Sequence, residues 1–180
     1  MTKPAPGAIV LQTERLYLRR FTLHDVATYR ELFNQPNVEA FLGPGPASRE
    51  EAGRHIAMVE GHWDLVGFSF MAVVERSTGT LVGRVGPWQP EGWPGLEVGW
   101  TIHPRRGRRG YAVEAAKAAG RWTLERHPDL AHLIHVIEPS NVGSQRVAAK
   151  LGASNTREAF YHPIAGNLEI WKTPREAFFA

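Results

Sequence analysis

The sequence predicts a mixed α/β (α+β) fold in which helices cover one central sheet. Three observations carry this. Apolar spacing switches repeatedly between period two and period three-to-four, so strands and helices are interspersed. The segments follow in the order β-α-α-β-β-β-α-β-α-β-β, which fits a layered architecture around one sheet. The helix read over residues 110–125 turns Ala112, Ala115, Ala116 and Ala119 to one face, and small side chains let a helix lie close on a sheet.

Residues 15–21 (RLYLRRF) alternate apolar and polar side chains, which sets Leu16 and Leu18 inward on a strand. Thr22 and Asp25 have the form of a capping box, and a helix over residues 24–34 follows with Val26, Tyr29 and Phe33 at helical spacing. Pro36 marks its end or the start of the next turn. Residues 41–47 (FLGPGPA) form a Gly/Pro loop. Ser48 and Glu51 make a second capping box, opening a helix to Trp63 with Ala52, Ile56 and Val59 on its apolar stripe. Strands over residues 68–75 and 81–88 are joined by the turn Ser77-Thr78-Gly79, and residues 89–95 are another Pro/Gly loop. A strand over 96–102 runs into the helix of residues 110–125. A strand over 132–137, a helix over 142–151 stopped at Gly152, and strands over 155–161 and 168–172 complete the chain. Residues 1–12 read as a flexible tail and residues 13–175 as one domain.

The chain has 180 residues, enough for one domain with a substantial core. Its net charge of +3 is too small for a protein that binds nucleic acid over its whole surface, so no nucleic-acid partner is expected. The absence of cysteine excludes disulfides, thiol nucleophiles and thiolate metal sites, and accords with a cytoplasmic setting. No apolar run reaches the roughly 20 residues that cross a bilayer, and the first residues lack the pattern of a secretory signal. The eight histidines show no recognised ligand spacing, so no metal is expected.

The segment LEVGWTIHPRRGRRGYAVEAAKAA is where chemistry concentrates. A strand feeds an Arg/Gly loop that opens a helix, and a helix N-terminus presents N–H groups to an anion. Arg105, Arg106, Arg108 and Arg109 add positive charge there, so the expected guest is a phosphorylated ligand. Contact with nucleic-acid phosphates is the lesser reading, because no stacking aromatics interleave these arginines.

Four stretches in this order resemble the GNAT N-acyltransferase superfamily, and its ribosomal-protein N-terminal acetyltransferase (Rim-type) branch in particular. They are TERLYLRRF, TGTLVGRVG, EVGWTIHPRRGRRGYAVEAA and EPSNVGSQRVAAKLGA. The resemblance implies a mostly antiparallel twisted sheet with a splay between the fourth and fifth predicted strands, and acetyl-CoA as cosubstrate. It implies that the pyrophosphate rests on the amides of Arg105, Arg106, Gly107, Arg108, Arg109, Gly110, Tyr111 and Ala112. The pantetheine arm is then expected beside Trp100, Thr101, Ile102 and His103, with Asn141 and Ser144 at the thioester end. Relatives often dimerise, so a homodimer is admitted. The chain departs from the family pattern at Arg108, where a glycine is usual, at Ala148, where many relatives carry a tyrosine, and at Ala153, where the family has an aromatic. Arginine at a position of positive φ is strained; Gly107 is the alternative site for the sharp turn.

Acetyl transfer to an amine needs a proton acceptor, a polarised carbonyl and a place for the thiolate. Alternation puts Glu97, Gly99 and Thr101 on one strand face, and Glu97 is the candidate base. Its other reading is a carboxylate that only orients substrate or pairs with an arginine. Backbone N–H groups around residues 100–102 are the carbonyl polarisers. Ser144 is the candidate donor to the thiolate, and both Ser144 and Asn141 also suit a helix start. The two Pro/Gly loops, with Trp88 and Trp93, are expected to line the acceptor channel. The functional expectation is an N-acetyltransferase acting on a primary amine, either a protein N-terminus or a small-molecule amine, by direct transfer in a ternary complex. The alternative is an acyl-CoA-binding module without turnover.

Overall fold

Leu16 and Leu18 are fully buried while the alternating Tyr17 and Arg19 are not, so the alternation in the sequence is that of a strand with one face on the core. In the computed structural model, which describes residues 4–180, that strand is β2 (Leu16–Arg19). It is preceded by β1 (Ile9–Gln12), so the tail expected through residue 12 gives way to an edge strand paired antiparallel to β2. Residues 1–3 of that expected tail lie outside the described residues.

The two predicted capping boxes form, and each adds a local bond. The Asp25 carboxylate accepts from the Thr22 N–H at 2.8 Å and starts a helical turn that continues into α1 (Val26–Phe33). Glu51 N–H donates to Ser48 Oγ at 3.1 Å at the head of α3 (Arg49–Val66), while the Glu51 carboxylate reaches back to the Ala47 N–H at 2.7 Å. Between them lies α2 (Pro36–Leu42), absent from the sequence reading. Pro36 begins it, the second of the two readings of that proline, because proline at the first helical position gives up an N–H that has no partner there.

The remaining elements are β3 (Met71–Glu75), β4 (Leu81–Trp88), β5 (Glu97–Ile102), α4 (Tyr111–Arg126), β6 (His132–Ile137), α5 (Val142–Lys150), β7 (Ser154–His162) and β8 (Gly166–Pro174). They form one eight-stranded sheet in the order β1-β2-β3-β4-β5-β6-β8-β7. Every neighbouring pair is antiparallel except β5 and β6. Both faces are covered. Val73, Val85 and Val98 pack with Ala115, Ala119 and Trp122 of α4 on one side; Phe70 and Ala72 pack with Tyr29, Phe33, Ile56 and Val59 on the other. Gly120 is required where the C-terminal turn crosses α4, because a Cβ there would lie 2.2 Å from Phe178, itself 1 % exposed. The core therefore extends past the expected limit at residue 175. Among the described residues, no helix is long and apolar enough to cross a membrane.

Candidate active site

The parallel pair β5–β6 separates after one rung. Ile134 N–H donates to the Leu96 carbonyl at 3.1 Å, and Glu97 is registered with Ile134. Continuing the ladder would join Val136 N–H to the Val98 carbonyl. Two side chains take that rung apart. The Val98 carbonyl is held by His135 Nδ1 at 2.7 Å, and the Val136 N–H donates to Glu97 Oε1 at 3.3 Å. The expected splay between these strands is present, with Glu97 at its apex.

His135 is 1 % exposed, and burial pushes its pKa down to about 4. A neutral ring that donates from Nδ1 to Val98 must accept at Nε2, where the Thr173 hydroxyl lies at 2.8 Å. The Trp100 ring lies over it at 4.8 Å.

Glu97, Gly99 and Thr101 share the face toward α1 and α3, as alternation predicts. A Cβ at Gly99 would meet Phe70 Cε1 at 3.1 Å and Glu97 Oε1 at 3.2 Å, so the glycine makes room for the ring and the carboxylate side by side. Glu97 is 7 % exposed. Burial raises its pKa to about 7 against the pull of the Val136 N–H, of the Trp93 indole N–H at 2.8 Å from Oε2, and of the Arg84 charge. Trp93 is itself set by Phe160 and His162 of β7, with ring centres 5.0 and 5.7 Å away. The β7–β8 tip also reaches the first Gly/Pro loop, since a Cβ on Gly43 would lie 2.8 Å from Ile164. Both loops read as acceptor lining thus converge on this hairpin.

Backbone direction sorts the residues of β5. Leu96 and Val98 turn their carbonyls to β6, so Trp100 and Ile102, of the same parity, turn their N–H groups into the splay. Thr101 pairs with Arg84 of β4, and His103 N–H donates to the Val82 carbonyl at 2.8 Å. The main chain of Thr101 and His103 therefore faces β4 rather than the slot assigned to it. The His103 ring is buried and caps the next turn, accepting the Arg105 N–H at 3.2 Å.

The loop then turns at Arg108, whose φ is +61°, whereas Gly107 is at −65° and Gly110 at +81°. Arg108 adopts the left-handed turn itself, and Gly107 does not replace it. Gly110 caps α4, whose first intrahelical bond runs from Glu114 N–H to the Gly110 carbonyl at 3.0 Å. The N–H groups of Tyr111, Ala112 and Val113 therefore point along the axis with no intrahelical acceptor, an anion cradle.

Residues missed by the sequence reading brace this loop. Arg15 Nη1 donates to the Arg109 carbonyl at 2.8 Å, and its guanidinium pairs with Glu114 at 2.6 Å. Glu75, at the end of β3, accepts a short bond from the buried Tyr111 hydroxyl and lies 3.5 Å from Arg106 and 3.7 Å from Arg109. The Tyr111 and Thr78 hydroxyls, with these two arginines, hold its pKa below the usual value. Arg15 belongs to the TERL motif, which was legible; its partner Glu114 lies 99 residues away and was not.

Asn141 caps α5, with Oδ1 accepting the Ser144 N–H at 2.9 Å. Its structural role is thereby explained, and the Ser144 hydroxyl has no hydrogen-bond partner among the described residues. Helices α4 and α5 start after β5 and β6, so both N-termini stand at the carboxyl edge of the parallel pair β5–β6, where crevices in such sheets bind ligands. This topology groups the loop from Arg105 to Ala112 with Asn141 and Ser144, and places Glu97 at the closed end of the splay.

Arg108→Gly is expected to leave the loop amides in place and to relieve a left-handed non-glycine residue, so stability should stay level or rise by about 1 kcal/mol. The lost guanidinium should raise KM for acetyl-CoA about three- to tenfold. Chemical denaturation and steady-state kinetics measure the two effects separately.

Residues 15–154 match the family model "Acetyltransferase (GNAT) domain". The chain is 27 % identical over 151 residues to YnaD of Bacillus subtilis, described as an uncharacterized N-acetyltransferase, covering 84 % of this chain and 85 % of that one. An acetyltransferase from Agrobacterium tumefaciens superimposes with a TM-score of 0.77 at 27 % identity, over 90 % of this chain and 92 % of that chain. A putative ribosomal-protein-serine acetyltransferase from Vibrio cholerae does so with a TM-score of 0.80 at 25 % identity, over 94 % and 99 %. Family match, sheet topology and splay agree: the chain belongs to the acetyltransferase (GNAT) family, acyltransferases that depend on acetyl-CoA.

Proposed function

We propose that this protein transfers an acetyl group from acetyl-CoA to a primary amine, directly, with both substrates bound together. The carrying observation is the Glu97 carboxylate at the apex of the splay with a pKa near 7. A base poised near working pH accepts a proton from an alkylammonium without being permanently protonated.

The residues present fit the cosubstrate. The α4 cradle and the arginines around it would hold the pyrophosphate, and the splay leaves β5 main chain free for the pantetheine arm. Bound there, acetyl-CoA supplies an activated thioester carbonyl. Glu97 takes the amine proton. The N–H groups of Trp100 and Ile102 face the slot and donate to the carbonyl oxygen as charge develops. The Ser144 hydroxyl, at the head of α5, is the donor assigned to the leaving sulfur. The acceptor enters from the α1–α3 side, between the two Gly/Pro loops and the β7–β8 hairpin, and the Vibrio relative makes a protein N-terminus one acceptor to test. The reading covers one domain, from β1 to the core residue Phe178, in a cytoplasmic setting.

A binding module without turnover rested on Arg108 and Ala148. Arg108 takes up the left-handed turn, so the loop shape does not argue for lost activity. Coenzyme A release with a panel of peptides and small amines tests the proposal. Release with at least one amine is expected; tight binding of acetyl-CoA with no release across the panel would favour the module.

A further inference from the structure

Two covered arginines of this chain pair with carboxylates. Arg20, 2 % exposed, is held by Glu60 at 2.7 Å and by Asp64 at 3.3 Å; Arg19 forks onto Asp25 at 2.6 and 2.8 Å. Arg175, half-buried, donates instead to three main-chain carbonyls; Arg84 has neither kind of partner. Its guanidinium lies between the rings of Phe33 and Phe70, 4.6 and 4.0 Å from their centres. Its one side-chain hydrogen bond among the described residues runs from Nη1 to the Tyr29 hydroxyl at 3.2 Å, and its buried Nε has no partner. No carboxylate lies within 4.0 Å of it among the described residues. Two ring faces stabilise the cation but satisfy none of its donors. A half-buried cation that no carboxylate touches costs free energy that an anionic guest would recover.

Position says what the guest is. Arg84 is on β4, registered with Thr101, on the sheet face that carries Glu97. The Phe70 ring touches both Arg84 and the space beside Glu97, so it lies between them. The loop of residues 43–47 folds over the same end of α1, with Asn34 Nδ2 donating to the Pro46 carbonyl and a Cβ on Gly45 meeting the Phe33 carbonyl at 2.4 Å. Arg84 thus lies on the acceptor side, on the sheet face of the proposed base and against the ring that neighbours it. We propose that Arg84 is an acceptor-binding residue, and that the acetylated amine carries a carboxylate which pairs with it. This rests on the amine-acetyltransferase reading above. It adds the charge of the substrate.

Matched acceptors test it: amino acids against their α-amides, and peptides beginning Asp against the same peptides beginning Asn. The two pairs separate a free amino acid from an acidic peptide N-terminus as the source of the carboxylate. Wild type should prefer the acid of at least one pair about 10- to 100-fold in KM. Arg84→Gln should raise KM for the acid member far more than for the neutral one and so abolish that preference, and Arg84→Lys should restore part of it. Calorimetry with the corresponding N-acetylated acids and amides reads the same preference without turnover. Equal KM and equal binding for acid and neutral members, or an equal loss for both in folded Arg84→Gln, overturns the inference. Coenzyme A release with neutral amines would leave the acetyltransferase reading standing in that case.

Discussion

Replacing Glu97 with glutamine is expected to lower kcat/KM for the amine by about 100-fold or more, the scale of a general base, and to erase the rise of the rate through pH 7. The same substitution should stabilise the fold at pH 8. Burial holds the folded-state pKa of Glu97 at about 7 against an ordinary 4.5. Between those values the unfolded chain loses a proton that the folded chain keeps, so stability falls as pH rises, by about 3 kcal/mol in all. Glutamine removes that penalty, less the cost of setting an amide NH₂ against the Trp93 N–H. A net gain of about 1–2 kcal/mol at pH 8 is expected from urea denaturation. Loss of rate with gain of stability separates a base from a carboxylate that pairs with an arginine, whose removal would cost both. An unchanged pH–rate profile would eliminate Glu97 as the base.

The pH dependence of folding carries a second signature. His135 has its pKa lowered to about 4 from an ordinary 6.5, so as pH falls through that window the unfolded chain takes up a proton the folded chain refuses. Its contribution declines toward acid while that of Glu97 declines toward base. From about pH 4.5 to 6.5 the two oppose each other. In the Glu97→Gln protein the His135 slope should stand uncovered, with stability rising over that window.

What was legible in the sequence was local or periodic. Thr22 with Asp25 and Ser48 with Glu51 marked helix starts because a cap and its partner lie three residues apart. Glu97 was legible because period two fixes its face and the strand leads into the arginine loop. The rest depends on distance. β1 is four residues long and is a strand only because β2 lies beside it; Phe178 is in the core only because Gly120 admits it. Arg84 lies in the predicted strand over residues 81–88, where nothing local distinguishes it; the aromatic rings it meets come from other elements, because this sheet is covered on both faces. His135 read as one of eight scattered histidines. Its partners, Val98 and Thr173, lie 37 and 38 residues away in sequence, and no local pattern announces them.

His135→Ala is expected to cost about 3–5 kcal/mol. It leaves the Val98 carbonyl and the Thr173 hydroxyl without the ring that joins them, and opens a cavity beneath Trp100. The effect should reach the cosubstrate as well. With the imidazole gone, the Val98 carbonyl is free to accept the Val136 N–H, and the rung that the splay interrupts can close. Glu97 then loses one of its two donors, and the main chain of Trp100 is drawn toward β6. KM for acetyl-CoA should rise about tenfold or more, the factor that matches about 1.4 kcal/mol. Hydrogen exchange at Val136 and Trp100 should slow, although the protein as a whole is less stable. Slower exchange at two amides in a destabilised protein is not the mark of simple loosening. His135→Gln retains a donor and an acceptor on one side chain and should recover part of both losses. A folded His135→Ala protein with an unchanged KM would mean that Glu97 alone keeps the strands apart.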